Sequence, residues 1–300
     1  LFTMEIKNQL LEVKNCPICK NSFFYDYGKI ANTHLDIQNL FNLMECKKCK
    51  HWFVSKMPKE NFLKDLYKNG SPYVFGNEHV SNFKNKLLSN SYVFDHWIYL
   101  YMKNEKKGNY LEVGPGACTL LNTFKKIGWN CQGFELSGWI KYDNVVYNLS
   151  EINKHNNEVL VFNDVLEHVA DPLSFLKIFS KFQTKGDRLF LSYPNSNSFK
   201  AKILKTKWSM VAPLAHLNFF SINSTKILLE ECGYQPLIIK ETSFVILRKL
   251  IRSILRLPIT IILDLLNFKI LNPFKRIIEI LLNILDLIRG DQLNVVAIKK

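Results

Sequence analysis

Residues 111–137 read LEVGPGACTLLNTFKKIGWNCQGFELS, and this stretch decides the fold. An apolar run ends at a glycine turn, a helical period follows over TLLNTFKKIG, and a second strand-like run, NCQGFE, ends on an acid. Strand, turn, helix and strand in that order build a parallel sheet. Gly114 and Gly116 stand directly after the first strand and before a helix N-terminus, where backbone must approach a ligand closely and free amides favour an anion. Glu135, nineteen residues beyond Gly116, ends the second strand, where a carboxylate can accept both hydroxyls of a ribose.

The alternation continues on the C-terminal side. EVLVFN (158–163), RLFLSYPN (188–195), PLIIKE and DQLNVVAIKK read as strands. Helices are expected over DVLEHVADPLSFLKIFSKF and in a capped segment from near Asn223 to Gly233. On the N-terminal side KENFLKDLYKNG reads as a short helix, SPYVFGNEH as a turn-rich connection, and roughly residues 80–103 as a longer helix. Residues 12–57 lack long apolar periodicity and contain CPIC and CKKC. The expected organisation is a small module at 12–57, a helical connection and cofactor-covering segment at 58–107, and a main domain at 108–300.

Cys16-x-x-Cys19 and Cys46-x-x-Cys49, with twenty-six residues between the pairs, can meet as two knuckles in one tetrahedral thiolate site. Four ligands fill the coordination sphere, so zinc there is expected to be structural. An odd total of seven cysteines, four of them paired this way, argues for a reducing compartment rather than disulfides. The first eleven residues carry Glu5, Lys7 and Asn8 and so lack the apolar core of a secretory signal. Asp264 and Asn267 break the longest apolar run before it reaches spanning length, and a cytoplasmic location is expected. The net charge of +14 would suit an anionic partner, but its lysines are scattered and identify none.

Two cofactor classes use a glycine turn followed by an acid. A dinucleotide site prefers a third small residue where Thr119 stands, which disfavours an oxidoreductase. The segment resembles class I S-adenosylmethionine-dependent methyltransferases, whose first motif reads E/D-x-G-x-G-x-G and whose second strand ends in an acid. The resemblance covers residues 110–300 and includes NDVLEHVADP, SYPN and HLNFFS. It implies an α/β, Rossmann-like seven-stranded sheet and an S-adenosylmethionine cofactor. Glu112, Gly114 and Gly116 would line the methionine end, Glu135 would bind the ribose, and Asn163 and Asp164 would lie near the sulfonium. Cys118 replaces the third glycine, and Asn148 is the nearest polar substitute for the usual acid at the adenine. Tyr67 and Tyr73 precede the core and would close over the donor, with aromatic packing as the ordinary alternative.

Nucleic-acid nitrogen methylases resemble (N/D)PPY after the fourth strand, where this chain has Asn163, Asp164, Val165 and Leu166. The RNA cytosine-C5 group needs a cysteine nucleophile near the fourth or fifth strand, and SYPN has none. A hydroxyl or an activated sugar carbon is therefore the expected acceptor, with His168 and His216 as candidate bases, although lone histidines are often structural. The layout also resembles sugar C-methyltransferases and polysaccharide-cluster methyltransferases with N-terminal zinc modules, which implies a small-molecule or glycan acceptor in surface-glycan biosynthesis. An RNA-directed enzyme and a non-catalytic S-adenosylmethionine-binding protein are the alternatives, the first weakened by the module's lack of an arginine face. Residues 244–290 read as a helical insertion before the last strand: two amphipathic helices broken at Pro258 and Pro273, with Arg248, Arg252 and Arg256 on one face. Such a segment can serve as a lid, a dimer interface or a peripheral membrane contact.

Overall fold

A computed structural model describes residues 6–30, 37, 40–68, 92–136, 141–153, 157–242 and 290–300. Tyr73 and all of the 244–290 insertion except Gly290 lie outside the described residues. The chain begins with short strands β1 (Leu10–Glu12), β2 (Phe24–Lys29), β3 (Asn42–Cys46), β4 (Trp52–Val54) and β5 (Lys56–Pro58), followed by helix α1 (Glu60–Lys68). Glu60 in the first turn of α1 and Lys68 in the last complement the helix dipole, and Lys64 bridges Glu60 at 2.7 Å. Helix α2 spans Trp97–Met102. The longer helix expected up to Lys103 is corrected here, because residues 92–96 are not helical. Val93 N–H instead donates to Thr123 Oγ1 at 2.8 Å, and His96 Nδ1 caps the new helix by accepting from Ile98 N–H at 3.3 Å.

The glycine stretch folds as read: β6 (Asn109–Val113), α3 (Thr119–Lys126) and β7 (Asn130–Phe134). Leu120, Leu121 and Phe124 face inward from α3, and Phe124 stacks on Tyr110 with ring centroids 4.6 Å apart. Next come β8 (Val145–Val146), β9 (Val159–Asn163), α4 (Pro172–Phe179), β10 (Arg188–Pro194), α5 (Phe199–Leu204), β11 (Asn218–Phe219), α6 (Ile222–Glu231), β12 (Tyr234–Thr242) and β13 (Gln292–Lys299). Helix α6 starts at a Ser221–Ser224 capping box, within a residue or two of the expected start.

The main sheet has seven strands in the order β12-β13-β10-β9-β6-β7-β8. Strand β13 runs antiparallel to both neighbours, and the other pairings are parallel. This is an α/β, mostly parallel seven-stranded sheet. Parallel strands covered on both faces need continuous apolar runs, and β9 supplies one in Val159, Leu160, Val161 and Phe162, all buried. Strand β6 pairs with β7 on one side and β9 on the other, so chain order reverses between β6 and β9. Ligands of open α/β sheets bind beyond the strand ends at such a reversal.

The smaller sheet has the order β11-β4-β3-β2. Its outer strand, β11, comes from sequence far downstream: Phe53 aligns with Asn218 and Trp52 with Phe219. One buried cluster runs from Cys16, Phe41, Trp52 and Phe53 through to Leu160, Phe162, Leu191 and Phe219. No helix among the described residues is long and apolar enough to cross a membrane.

Candidate functional site

The exits of β6 and β9 lie against each other. Gly114 and Gly116 both hold positive φ, +64° and +52°. Gly114 N–H donates to Phe134 O at 2.8 Å, tying the loop to the end of β7. A Cβ on Gly114 would lie 2.7 Å from Val165 Cγ2, just past the end of β9, so only glycine lets the two turns meet. Cys118, where the resembled motif has its third glycine, also holds a left-handed conformation with φ +56°. Its thiol is buried, and its N–H donates to Pro115 O at 2.8 Å.

Glu112 is buried on β6 and accepts a hydrogen bond from Tyr110 Oη at 3.1 Å. Burial pushes its carboxyl up to about 8, with the Tyr110 bond opposing. The folded chain therefore keeps this proton longer than the unfolded chain, whose carboxyl titrates near 4.5. Between those values the native state binds more protons, so stability falls as pH rises. Glu112→Gln is expected to flatten that slope, with thermal midpoints read across the interval. A slope equal to wild type would show that Glu112 does not carry it.

Glu135 follows β7, half-buried, with its N–H on Val146 O at 3.0 Å. Asn148 is exposed two residues beyond β8, and its side chain donates to Glu151 Oε1 at 2.6 Å. Asn163 ends β9. Asp164 follows with φ +55° and accepts from Gln292 Nε2 and Asn163 Nδ2, each at 3.3 Å. Asp164 reaches solvent, yet surrounding protein raises its carboxyl to about 6, with the Gln292 bond opposing.

His168 and His216, forty-eight positions apart in sequence, come together with ring centroids 4.8 Å apart. His168 Nδ1 lies 2.8 Å from Ala215 O, and His216 Nδ1 lies 2.7 Å from Met210 O. A carbonyl only accepts, so each Nδ1 carries a proton and each neutral ring keeps its lone pair on Nε2. Burial, with His216 beside it, pushes His168 down to about 3, and burial lowers His216 as well. Both rings are neutral near pH 7. Glu167 sits against them: 1% exposed, with Oε1 3.9 Å from His168 Nε2 and Oε2 without a hydrogen-bond partner. Burial and the nearby Asp164 charge raise its carboxyl well above the usual range. Tyr67, carried on α1, meets His168 edge-on at 6.3 Å.

Cys16, Cys19, Cys46 and Cys49 also converge, their sulfurs within 4.8 Å of one another and the closest pairs, 16–49 and 19–46, at 3.5 Å. Four thiolates around one zinc lie about 3.8 Å apart, so the set fits a metal ion. Each pair closes the same way. Lys20 and Lys50 adopt positive φ (57° and 60°) and donate N–H to Cys16 O and Cys46 O at 3.0 Å.

The two regions are connected. Leu217, next to His216, donates its N–H to Glu167 O at 2.7 Å and accepts from Val54 N–H at 3.1 Å. Asn218 Nδ2 donates to Val169 O at 2.7 Å, and its Oδ1 lies 3.0 Å from Nε2 of the buried His51. Ser221 Oγ donates to Cys49 O at 3.0 Å. A segment of β11 and its flanks thus touches the second cysteine knuckle on one side and the histidine pair on the other.

Sequence reasoning missed two contributors, Gln292 and Gly133, whereas Glu167, which the Asp164-x-x-Glu167-His168 pattern singles out, is turned inward by the 3-10 turn Leu166–His168. Gln292 reaches Asp164 from the last strand, 128 residues on, with no local signal. Gly133 lets Pro115 pack against β7, since a Cβ there would lie 3.1 Å from the proline ring; a glycine inside a strand pattern is the hint.

Residues 90–238 match a family described as a methyltransferase domain. No curated protein matches the chain. Among solved structures, similarity extends to a magnesium protoporphyrin IX methyltransferase from Synechocystis with bound SAH, at 11% identity over 81% of this chain and all (100%) of that one, with a TM-score of 0.46. A SAM-dependent methyltransferase from Archaeoglobus fulgidus aligns at 15% identity over 80% of this chain and 100% of that one, with a TM-score of 0.45. Another from Thermotoga maritima aligns at 14% identity over 74% and 96%, also with a TM-score of 0.45.

Proposed function

We propose that this chain, an S-adenosylmethionine-dependent methyltransferase by its domain at residues 90–238, methylates a hydroxyl or carbon of a sugar or related small metabolite in surface-glycan biosynthesis. The observation that carries the acceptor reading is the His168–His216 pair beside the β9 exit, two neutral imidazoles each with Nε2 unprotonated. S-adenosylmethionine supplies an electrophilic methyl group on a positively charged sulfur. The chain's own residues divide the remaining work. Gly114 and Gly116 let the backbone approach the donor, and Glu135 takes the ribose hydroxyls. Glu112 offers a buried carboxyl to the donor's cationic end, so binding draws off its proton. Asn163 and Asp164 border the reacting centre, and the imidazole pair withdraws the proton that the acceptor gives up. Asn148 would contact the adenine edge.

The four thiolates hold zinc as a structural ion, because they leave no position open for chemistry. A second reading, RNA-directed transfer, is favoured by one observation. Phe23 and Tyr25 are 68% and 50% exposed on the cysteine module, and Lys47 and Lys50 lie over the Tyr25 ring at 4.8 and 5.3 Å. Exposed rings among cations can stack bases. Tight RNA binding that weakens steeply with salt would establish that reading instead.

The cofactor assignment is tested by calorimetric titration with S-adenosylhomocysteine. Micromolar binding is expected, weakened at least about thirtyfold in Glu135→Ala, the loss of roughly 2 kcal/mol for a charged hydrogen-bonding group. Undiminished binding in Glu135→Ala would remove that residue from the cofactor site. Absent binding to the wild-type chain would overturn the cofactor-dependent function.

A further inference from the structure

We infer that an exposed face where the cysteine module meets the end of α5, built from Phe23, Tyr25, Lys47, Lys50 and Lys205, docks an anionic glycan chain, one bearing carboxylate or phosphate groups. The inference deepens the glycan-acceptor reading proposed above and takes it as its premise. Phe23 and Tyr25 are 68% and 50% exposed, large rings that folding leaves in water side by side on the module. Cations gather around them. Lys47 and Lys50 lie over the Tyr25 ring at 4.8 and 5.3 Å, Lys205 over Tyr27 at 4.8 Å and Lys202 over Trp52 at 5.1 Å. Glu45, buried among them, accepts from Tyr27 Oη and Trp52 Nε1 and pairs with Lys50 at 3.3 Å and Lys202 at 3.9 Å. Four ammonium groups around that one carboxylate leave the face positive.

The small sheet ties this face to the histidine pair. Tyr25 aligns with Glu45, Glu45 with Trp52, and Trp52 with Phe219. Residues directly opposite each other share a face, so these four side chains form one row across the sheet. Phe219 in turn meets His216 edge-on at 6.4 Å. Three interstrand spacings, about 14 Å, separate Tyr25 from Phe219. That is too far for one sugar unit to touch both ends, and within reach of an oligosaccharide. Trp52 and Phe219 are buried, with Lys202 over Trp52, so a bound chain runs over the lysines outside the row. Lys205 caps the end of α5 at φ +48°, a left-handed conformation that a non-glycine residue keeps only where its surroundings impose it. Its ammonium is the one laid over Tyr27.

Chemistry selects the partner. The ammonium groups over Tyr25 cover ring surface on which a base would stack, whereas Phe23 offers an open ring to the apolar C–H face of a sugar. Lysines act as point charges that meet a carboxylate or phosphate in many orientations. Residues 12–57 and 199–208 contain no arginine, the side chain that both stacks on bases and forks onto nucleic-acid phosphate. A neutral glycan would gain nothing from the lysines, and a single sugar at the histidine pair would not reach Phe23.

The test measures the affinity of the full chain, supplied with zinc, for oligogalacturonate, phosphorylated dextran, neutral dextran of equal length and poly(U). Both anionic glycans are expected to bind, more weakly as salt rises, and neutral dextran at least about tenfold more weakly than either. Lys47→Glu/Lys205→Glu is expected to weaken binding of both at least about thirtyfold. Phe23→Ser, which removes a ring and no charge, should weaken it about fivefold. Zinc content and S-adenosylhomocysteine affinity should match wild type in both variants, which separates lost docking from unfolding. Binding of neither anionic glycan to wild type, or equal binding by both variants, overturns the docking surface and leaves the small-acceptor reading standing. Poly(U) bound more tightly than both glycans through the same residues overturns the glycan as occupant in favour of RNA. Intact glycan binding with no binding of S-adenosylhomocysteine supports the surface and overturns the transferase reading instead.

Discussion

Cys49→Ser is expected to abolish methyl transfer while leaving S-adenosylhomocysteine binding within about tenfold of wild type. A structural zinc ion contributes on the order of 10–16 kcal/mol to the folding of small thiolate modules, as much as the whole stability of a typical domain. Removing one ligand therefore opens the second knuckle. Cys49 O then no longer holds Ser221, β4 loses its order, and Val54 releases Leu217. Leu217 is bonded to Glu167 and adjoins His216, so the histidine pair loses its register. The glycine loop is tied instead to Phe134 at the end of β7, and Glu135 to Val146, so the donor side should survive. Amide hydrogen exchange provides the direct measurement. Val54 and Leu217 should exchange far faster in Cys49→Ser, with β6 and β9 still protected. Full transfer activity in a zinc-free variant would show that the module and the chemistry are independent.

Gly114→Ala is expected to weaken S-adenosylhomocysteine binding at least about a hundredfold, close to 3 kcal/mol. An L-residue at φ +64° is strained by roughly 1–2 kcal/mol, and here the added carbon also meets Val165 Cγ2 at 2.7 Å. Something must move, and the nearest movable part is the loop proposed to face the ligand. Gly128 provides the control. Its φ is +94°, and a Cβ there would find nothing within 4 Å. Gly128→Ala should therefore lower the thermal midpoint through backbone strain alone and leave binding unchanged. The double variant Gly114→Ala/Val165→Ala should recover part of the loss by removing the clash. Equal binding by Gly114→Ala and wild type would place the ligand away from this turn.

The central βαβ unit was legible because each local signal in residues 111–137 agreed with the next: apolar runs of strand length, glycines at a turn that needs positive φ, a helical period, and an acid at a strand end. The cysteine cluster was legible from spacing alone. What the sequence hid was non-local. Strand β11 is two residues long, too short for any periodicity, and its partner β4 is fixed by tertiary packing rather than by pattern. Cys118 takes a left-handed turn that its residue type disfavours, held by the Pro115 carbonyl and a buried thiol. The longer helical reading failed over residues 92–96 because a side-chain cap at His96 competes with the helix for the backbone. His168 and His216 were each visible as ionisable residues. Their meeting was not, because it depends on how the turn after β9 packs against the loop before β11.

The shared small sheet also sets an order on synthesis. His51, just before β4, and Asn218, on β11, touch although they lie 167 residues apart. At ordinary translation speed roughly ten to thirty seconds separate their emergence. During that interval the cysteine module can load its ion, but the outer edge of β4 stays bare, a row of open amides and carbonyls with Trp52 and Phe53 unshielded. The nascent chain is most vulnerable to mispairing with its neighbours then, and the danger ends when the segment bearing His216 docks. The same docking event that protects the chain from aggregation also brings His216 against His168, the proposed acceptor end.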